Sequence, residues 1–143
     1  MKHFLLIIFI AFSFSGIAQN KRIEVFSMLL GNYKMVERKD LKTNDKTFTL
    51  LIKSTAYAQI TEYFTPLTTK SIQDMKSELE KWKDFTDEMD YDVSQKFDNY
   101  QLTDTKKGLQ VSALNRNDHY GYVSNKLIDK MIEKMEKYKR KQK

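Results

Sequence analysis

Acid–base chemistry has few residues to draw on in this chain. Beyond residue 18 the only histidine is His119, in the run Asn117-Asp118-His119. One imidazole excludes a two-histidine metal site and leaves a single histidine base. Asp118 cannot orient it as a triad acid would, because neighbours along a strand point to opposite faces. No serine stands in a Gly-x-Ser-x-Gly turn. Cysteine is absent, which removes disulfides, thiolate metal sites and cysteine nucleophiles. The expectation is a non-enzyme with no catalytic residue, no metal and no cofactor, and with His119 as a surface histidine at a turn.

Carboxylates are denser. Asp84, Asp87, Glu88, Asp90 and Asp92 place five acids within nine residues. Oxygen ligands suit calcium, yet an EF-hand register from Glu88 puts Val93 where glycine is required and Asn99 where the bidentate glutamate belongs. Glycoside hydrolysis would need two of these acids across a cleft. The run reads as a solvated helix-to-strand link.

Two binding surfaces remain. Alternation in 57–64 sets Tyr57, Gln59, Thr61 and Tyr63 against Ala58, Ile60 and Phe64, and Gln110 and Ser112 alternate likewise with Leu109 and Val111. If the apolar sets face helices, these six polar and aromatic side chains share an open sheet face. Tyrosine joins apolar area to a hydroxyl, so such a face suits a protein, peptide or glycan, or a second copy of the chain. Plain cross-strand pairing on a wet sheet is the alternative. The other surface is the basic end, with tail residues Lys137, Lys139, Arg140, Lys141 and Lys143. A basic amphipathic helix can contact an anionic membrane surface or simply cover a sheet. Nucleic acid is not expected, since the aromatic interleaving of single-strand binders is missing.

The elements that position these residues follow from periodicity. Residues 20–30 fit helix or strand. Strands are expected at 32–39, 47–53 and 57–64, with a turn at Thr43-Asn44-Asp45 and Pro66 ending the third. Ser71-x-x-Asp74 opens a helix to about Glu88, with Ile72, Met75, Leu79, Trp82, Phe85 and Met89 on one stripe. Trp82 is therefore a core residue. Residues 97–104 and 108–114 form a hairpin with Gly108 at a positive φ. Asn115 to Asp118 makes a second turn before a short strand from His119 to Val123. Ser124 caps a last helix to about Lys139, whose stripe is Leu127, Ile128, Met131, Ile132, Met135 and Tyr138. The expected fold is α+β: about six antiparallel strands in two meanders, each followed by an amphipathic helix, both helices on one face.

Ahead of that domain, Met1-Lys2-His3, the apolar run Phe4 to Phe14 and the small residues before Gln19 predict a signal peptide, residues 1–18. The run is too short to span a bilayer. The protein is then expected to be periplasmic or secreted, with residues 19–143 as one domain. The whole chain carries +6, and Lys126 to Lys143 alone holds eight basic and three acidic residues. The body between signal and tail is neutral. These readings converge on a small exported binding or interaction domain, or else a peripheral envelope protein held by its basic C-terminal helix.

Overall fold

The computed structural model describes residues 20–55, 62–88 and 93–143. The proposed signal peptide, the strand segment 57–61 with Tyr57, Gln59 and Thr61, and Met89, Asp90 and Asp92 lie outside them. The elements run β1 (Asn20–Met28), β2 (Tyr33–Asp40), β3 (Lys46–Lys53), β4 (Tyr63–Thr69), α1 (Ile72–Glu88), β5 (Ser94–Lys96), β6 (Tyr100–Thr105), β7 (Gly108–Ala113), β8 (Arg116–Val123) and α2 (Asn125–Lys141). The fold is α+β. It holds two four-stranded antiparallel sheets in the orders β1-β2-β3-β4 and β5-β6-β7-β8, each followed by one helix.

The expected single sheet of about six strands is therefore two sheets of four. β1 resolves the ambiguous run 20–30 as a strand, with Phe26 and Met28 buried and a bulge at Val25. Pro66 does not end the third expected strand; it lies inside β4. Leu50 pairs with Leu67 and Ile52 with Phe64, so Thr65 and Pro66 together face Leu51. β4 is an edge strand, and a bulge on an edge tolerates a residue without an N–H. The same two features blunt that edge against further pairing.

The sheets meet where the chain leaves β3. Carbonyls along β8 accept hydrogen bonds from Ser54 Oγ (Asp118 O, 3.3 Å) and Thr55 N (Tyr120 O, 2.9 Å). The Tyr33 hydroxyl donates to the Tyr122 carbonyl. Gly121 sits directly against Ile52. The strand edge that would otherwise be open is thus satisfied by the other sheet. The helices are not on one face of one sheet, as expected from the sequence. α1 packs on β4, β6 and β7, while α2 packs on β1 and on α1. One core joins everything: Met35, Leu50 and Ile52 from the first sheet, Leu102, Leu109 and Val111 from the second, and Met75, Leu79, Trp82, Ile128 and Met131 from the helices.

Local chemistry explains the element boundaries. Ser71 Oγ accepts from the Asp74 amide at 3.0 Å and donates to Asp74 Oδ2 at 2.7 Å, so the expected cap forms. Ser124 Oγ caps α2 by accepting from the Leu127 amide at 3.2 Å. Gly108 takes φ +111° after the Lys106-Lys107 turn, and Asn44 takes φ 63° in the β2–β3 turn. In that turn Asp40 accepts from the Lys42 and Thr43 amides, which lower its carboxyl below the usual range. The Asn115–Asp118 run is not a turn alone. Arg116 already pairs with Ala113, and residues 117–119 form an irregular stretch before Tyr120 pairs with Ser112. The backbone of this run forms a hairpin loop and a bulge.

Candidate functional site

Register assigns the faces of the second sheet. Leu102 pairs with Val111 and Leu109 with Val123, all buried, which defines the inner face. The intervening residues, Gln101, Thr103, Gln110, Ser112, Tyr120 and Tyr122, then share the outer face. α1 covers the inner side, where Trp82 Nε1 donates to the buried Tyr100 hydroxyl at 3.1 Å. The outer side chains are half-buried among themselves. Gln110 Nε2 donates to Ser112 Oγ at 3.0 Å, and Gln101 Nε2 to Thr103 Oγ1 at 3.3 Å. Thr103 and Ser94 hydroxyls lie 2.8 Å apart. Tyr120 and Tyr122 meet edge to face with centroids 5.9 Å apart. Each of these six side chains is an amide, a hydroxyl or a phenol, and the charges beside them are Lys96, paired with Gln101, and Lys107, 5.9 Å over the Tyr122 ring.

Gln110 and Ser112 are thus together, as expected. Tyr63 is not with them. It starts β4 in the first sheet, donates to the Gly31 carbonyl at 2.7 Å and carries the Lys34 ammonium 5.2 Å above its ring. The expected face, built on one sheet, divides between two. Gln101, Thr103, Tyr120 and Tyr122 complete it instead. Their signal was the alternation of 100–105 and 119–123, which only the β6-β7-β8 register converts into a shared surface.

The basic tail has the expected form. Leu127, Ile128, Met131 and Met135 of α2 are buried, and Lys137, Lys139, Arg140, Lys141 and Lys143 are exposed. Lys137 Nζ pairs with Glu133 at 2.6 Å.

His119 is buried rather than at the surface, with 2% of it exposed. The bulge turns it inward, on the side of Gly121 and opposite to Tyr120. Its Nε2 lies 3.0 Å from Glu62 Oε2, and Arg116 Nη2 lies 3.3 Å from the same oxygen. Neither ring nitrogen makes a well-aligned hydrogen bond among the described residues. Both ring nitrogens are shut off from solvent. Of the acidic link, Asp84, Asp87 and Glu88 end α1. Among the described residues no three histidine or carboxylate side chains group as metal ligands.

One constellation escaped the sequence reading. Glu37 occupies the inward register of β2 after Tyr33 and Met35, opposite Phe48, and is 2% exposed. Its carboxylate accepts from the Tyr138 hydroxyl at 2.9 Å and lies 3.1 Å from Lys46 Nζ. Lys46 also donates to Gln142 Oε1 at 3.3 Å. These groups border a cavity of about 330 Å³ between the end of α2 and the start of α1. The Tyr138 phenol is pushed up to about 12, by burial first and then by the Glu37 charge. Alternation marks position 37 as inward, but an acid there has no value as a core residue until its two donors arrive from distant segments.

In comparisons with known proteins, no family model, no curated protein and no solved structure matches the chain. Among the described residues no helix is long and apolar enough to cross a membrane.

Proposed function

We propose that the chain is a small exported, non-enzymatic binding domain whose contact surface is the outer face of the second sheet. The observation that carries this reading is the row of amides, hydroxyls and phenols Gln101, Thr103, Gln110, Ser112, Tyr120 and Tyr122 on the face opposite α1, flanked by Lys96 beside Gln101 and by Lys107 over the Tyr122 ring. Amides and hydroxyls offer donors and acceptors, while the phenol rings add apolar area without charge. The partner that fits is itself rich in hydroxyl and amide groups, as an extended peptide or a glycan is. The enclosure of His119 supports the non-enzymatic part of the reading.

A combined Gln110→Ala and Tyr120→Ala variant tests it on arrays of immobilised glycans and peptides. We expect the bound set to weaken at least tenfold, while stability changes by about 1 kcal/mol or less for surface cross-strand pairs. Undiminished capture by the variant, or an array that captures nothing, rejects the sheet face.

A further inference from the structure

The β1–β2 turn breaks two rules at once. Leu29 and Leu30 both adopt left-handed backbone, with φ of 50° and 56°, ahead of Gly31 at 87°. Glycine takes such angles freely, whereas the Cβ of leucine clashes with its own backbone there. Leu30 is also fully exposed and Leu29 is 57% exposed. Two large apolar side chains are therefore kept in water on backbone that disfavours them. Neither core packing nor local preference accounts for leucine at these positions, and such outliers gather at functional sites.

The turn is firmly held. Gly31 N donates to Met28 O at 3.1 Å, Asn32 N to Leu29 O at 3.2 Å, and Lys53 N to Asn32 O at 2.7 Å. The Tyr63 phenol closes on the Gly31 carbonyl, so the leucines project from a braced platform. The charge beside that platform is mainly basic, and the acid next to it, Glu62 ahead of Tyr63, is paired with Arg116 at 3.3 Å. The Lys34 side chain lies against Gly31, and Lys53 joins the turn through its amide. The bond from Tyr33, just after the turn, to the Tyr122 carbonyl links this end to the second sheet, where Lys107, in the β6–β7 turn beside the exposed Lys106, lies 5.9 Å over the Tyr122 ring. No acid occurs in residues 25–36 or 105–112.

We propose that this end of the molecule docks on an anionic lipid bilayer surface, with Leu29 and Leu30 entering the boundary of the acyl region. Tyr63 sits at headgroup depth, and Lys34, Lys53, Lys106 and Lys107 meet lipid phosphates. The lysines decide the occupant. A wholly apolar protein pocket would leave four ammonium groups without counter-charge, whereas an anionic bilayer supplies apolar depth and negative charge together.

Sedimentation with vesicles of equal phosphatidylglycerol and phosphatidylcholine tests the docking. The protein is expected to bind these vesicles and to bind pure phosphatidylcholine, or the mixed vesicles at high salt, at least tenfold more weakly. A Leu29→Asn, Leu30→Asn variant is expected to lose binding at least tenfold while its unfolding midpoint holds or rises, because asparagine tolerates the left-handed angles. Replacing Lys106 and Lys107 with glutamine should weaken binding, and replacing Lys139, Arg140 and Lys141 with glutamine should not. The sheet-face variant Gln110→Ala, Tyr120→Ala should bind vesicles fully, which separates the two proposals. Vesicle binding that survives the asparagine variant, that follows the tail lysines alone, or that is absent in the parent protein overturns the proposal. So does light scattering that shows the leucines joining two copies in place of lipid.

Discussion

Replacing Gly121 with alanine should destabilise the protein by about 2 kcal/mol, in the range of overpacked cores. A Cβ at position 121 would lie 2.6 Å from Ile52 Cγ2 and 3.6 Å from the Lys53 carbonyl. The nearer atom cannot swing aside, because Cγ2 is fixed to the branched Cβ of a residue with no exposure. The contact is also where the two sheets meet, so relief would require moving β8 away from the residues after β3. That motion would stretch the bonds from Thr55 to Tyr120 and from Tyr33 to Tyr122. Ile52→Ala alone should cost about 3 kcal/mol through the cavity it leaves. The double variant should fall short of the sum by more than 1 kcal/mol, since the new methyl occupies space the isoleucine vacated. Urea unfolding of the four proteins closes this cycle. Strict additivity would show that the sheets do not bear on each other through this pair.

Much of the secondary structure is legible from local chemistry. Ser71 and Ser124 mark helix starts because a hydroxyl must satisfy an amide that the helix leaves open. The stripes Met75-Leu79-Trp82-Phe85 and Leu127-Ile128-Met131-Met135 are buried as their spacing requires. Gly108 and Asn44 mark turns because few residues tolerate their angles. What these signals lack is any record of which strand is an edge. Pro66 does not stop β4 because a missing N–H matters only if a neighbour needs it, and among the described residues no strand lies beyond β4. The join between sheets is equally silent. It depends on Thr55 meeting Tyr120 across 65 residues and on a glycine that looks ordinary between two tyrosines.

The candidate surfaces were legible to different degrees for the same reason. Alternation put Gln110 and Ser112 on an outer face, but assigning Tyr63 to that face assumed one sheet. Leu29 and Leu30 are harder still. In a run such as Val25-Phe26-Ser27-Met28-Leu29-Leu30, apolar residues read as core, and a helical face through Ile23, Phe26 and Leu30 hides the turn. Only the left-handed angles and full exposure show that the last two are held outward.

Glu37 should show a marked asymmetry between its own removal and that of its partners. Lys46→Met leaves a carboxylate that is 2% exposed with the Tyr138 hydroxyl as its remaining partner among the described residues. A broken buried pair costs several kcal/mol, but Lys46 is 38% exposed, and solvent screening reduces the expected loss to about 2 kcal/mol. Tyr138→Phe removes a hydrogen bond to a charged acceptor, for about 1.5–3 kcal/mol. Glu37→Met removes the buried charge itself, and its cost should be the smallest of the three, because an apolar side chain of similar volume suits the cavity beside Phe48 and Ile72. The Tyr138 phenol adds a signature in pH. Its ordinary value of 10.0 rises to about 12 in the folded protein. Below pH 10 both states hold the proton and the stabilisation is complete. Between 10 and 12 the unfolded chain ionises first, so stability falls as pH rises until the folded phenol also ionises. Tyr138→Phe should flatten that part of the alkaline limb, and Glu37→Met should shift it to lower pH by removing the charge that helps hold the phenol protonated. Unfolding curves from pH 9 to 12 would show it. An alkaline limb identical in parent and Tyr138→Phe would mean that folding does not raise the phenol, and one unmoved by Glu37→Met would mean that the phenol does not feel Glu37.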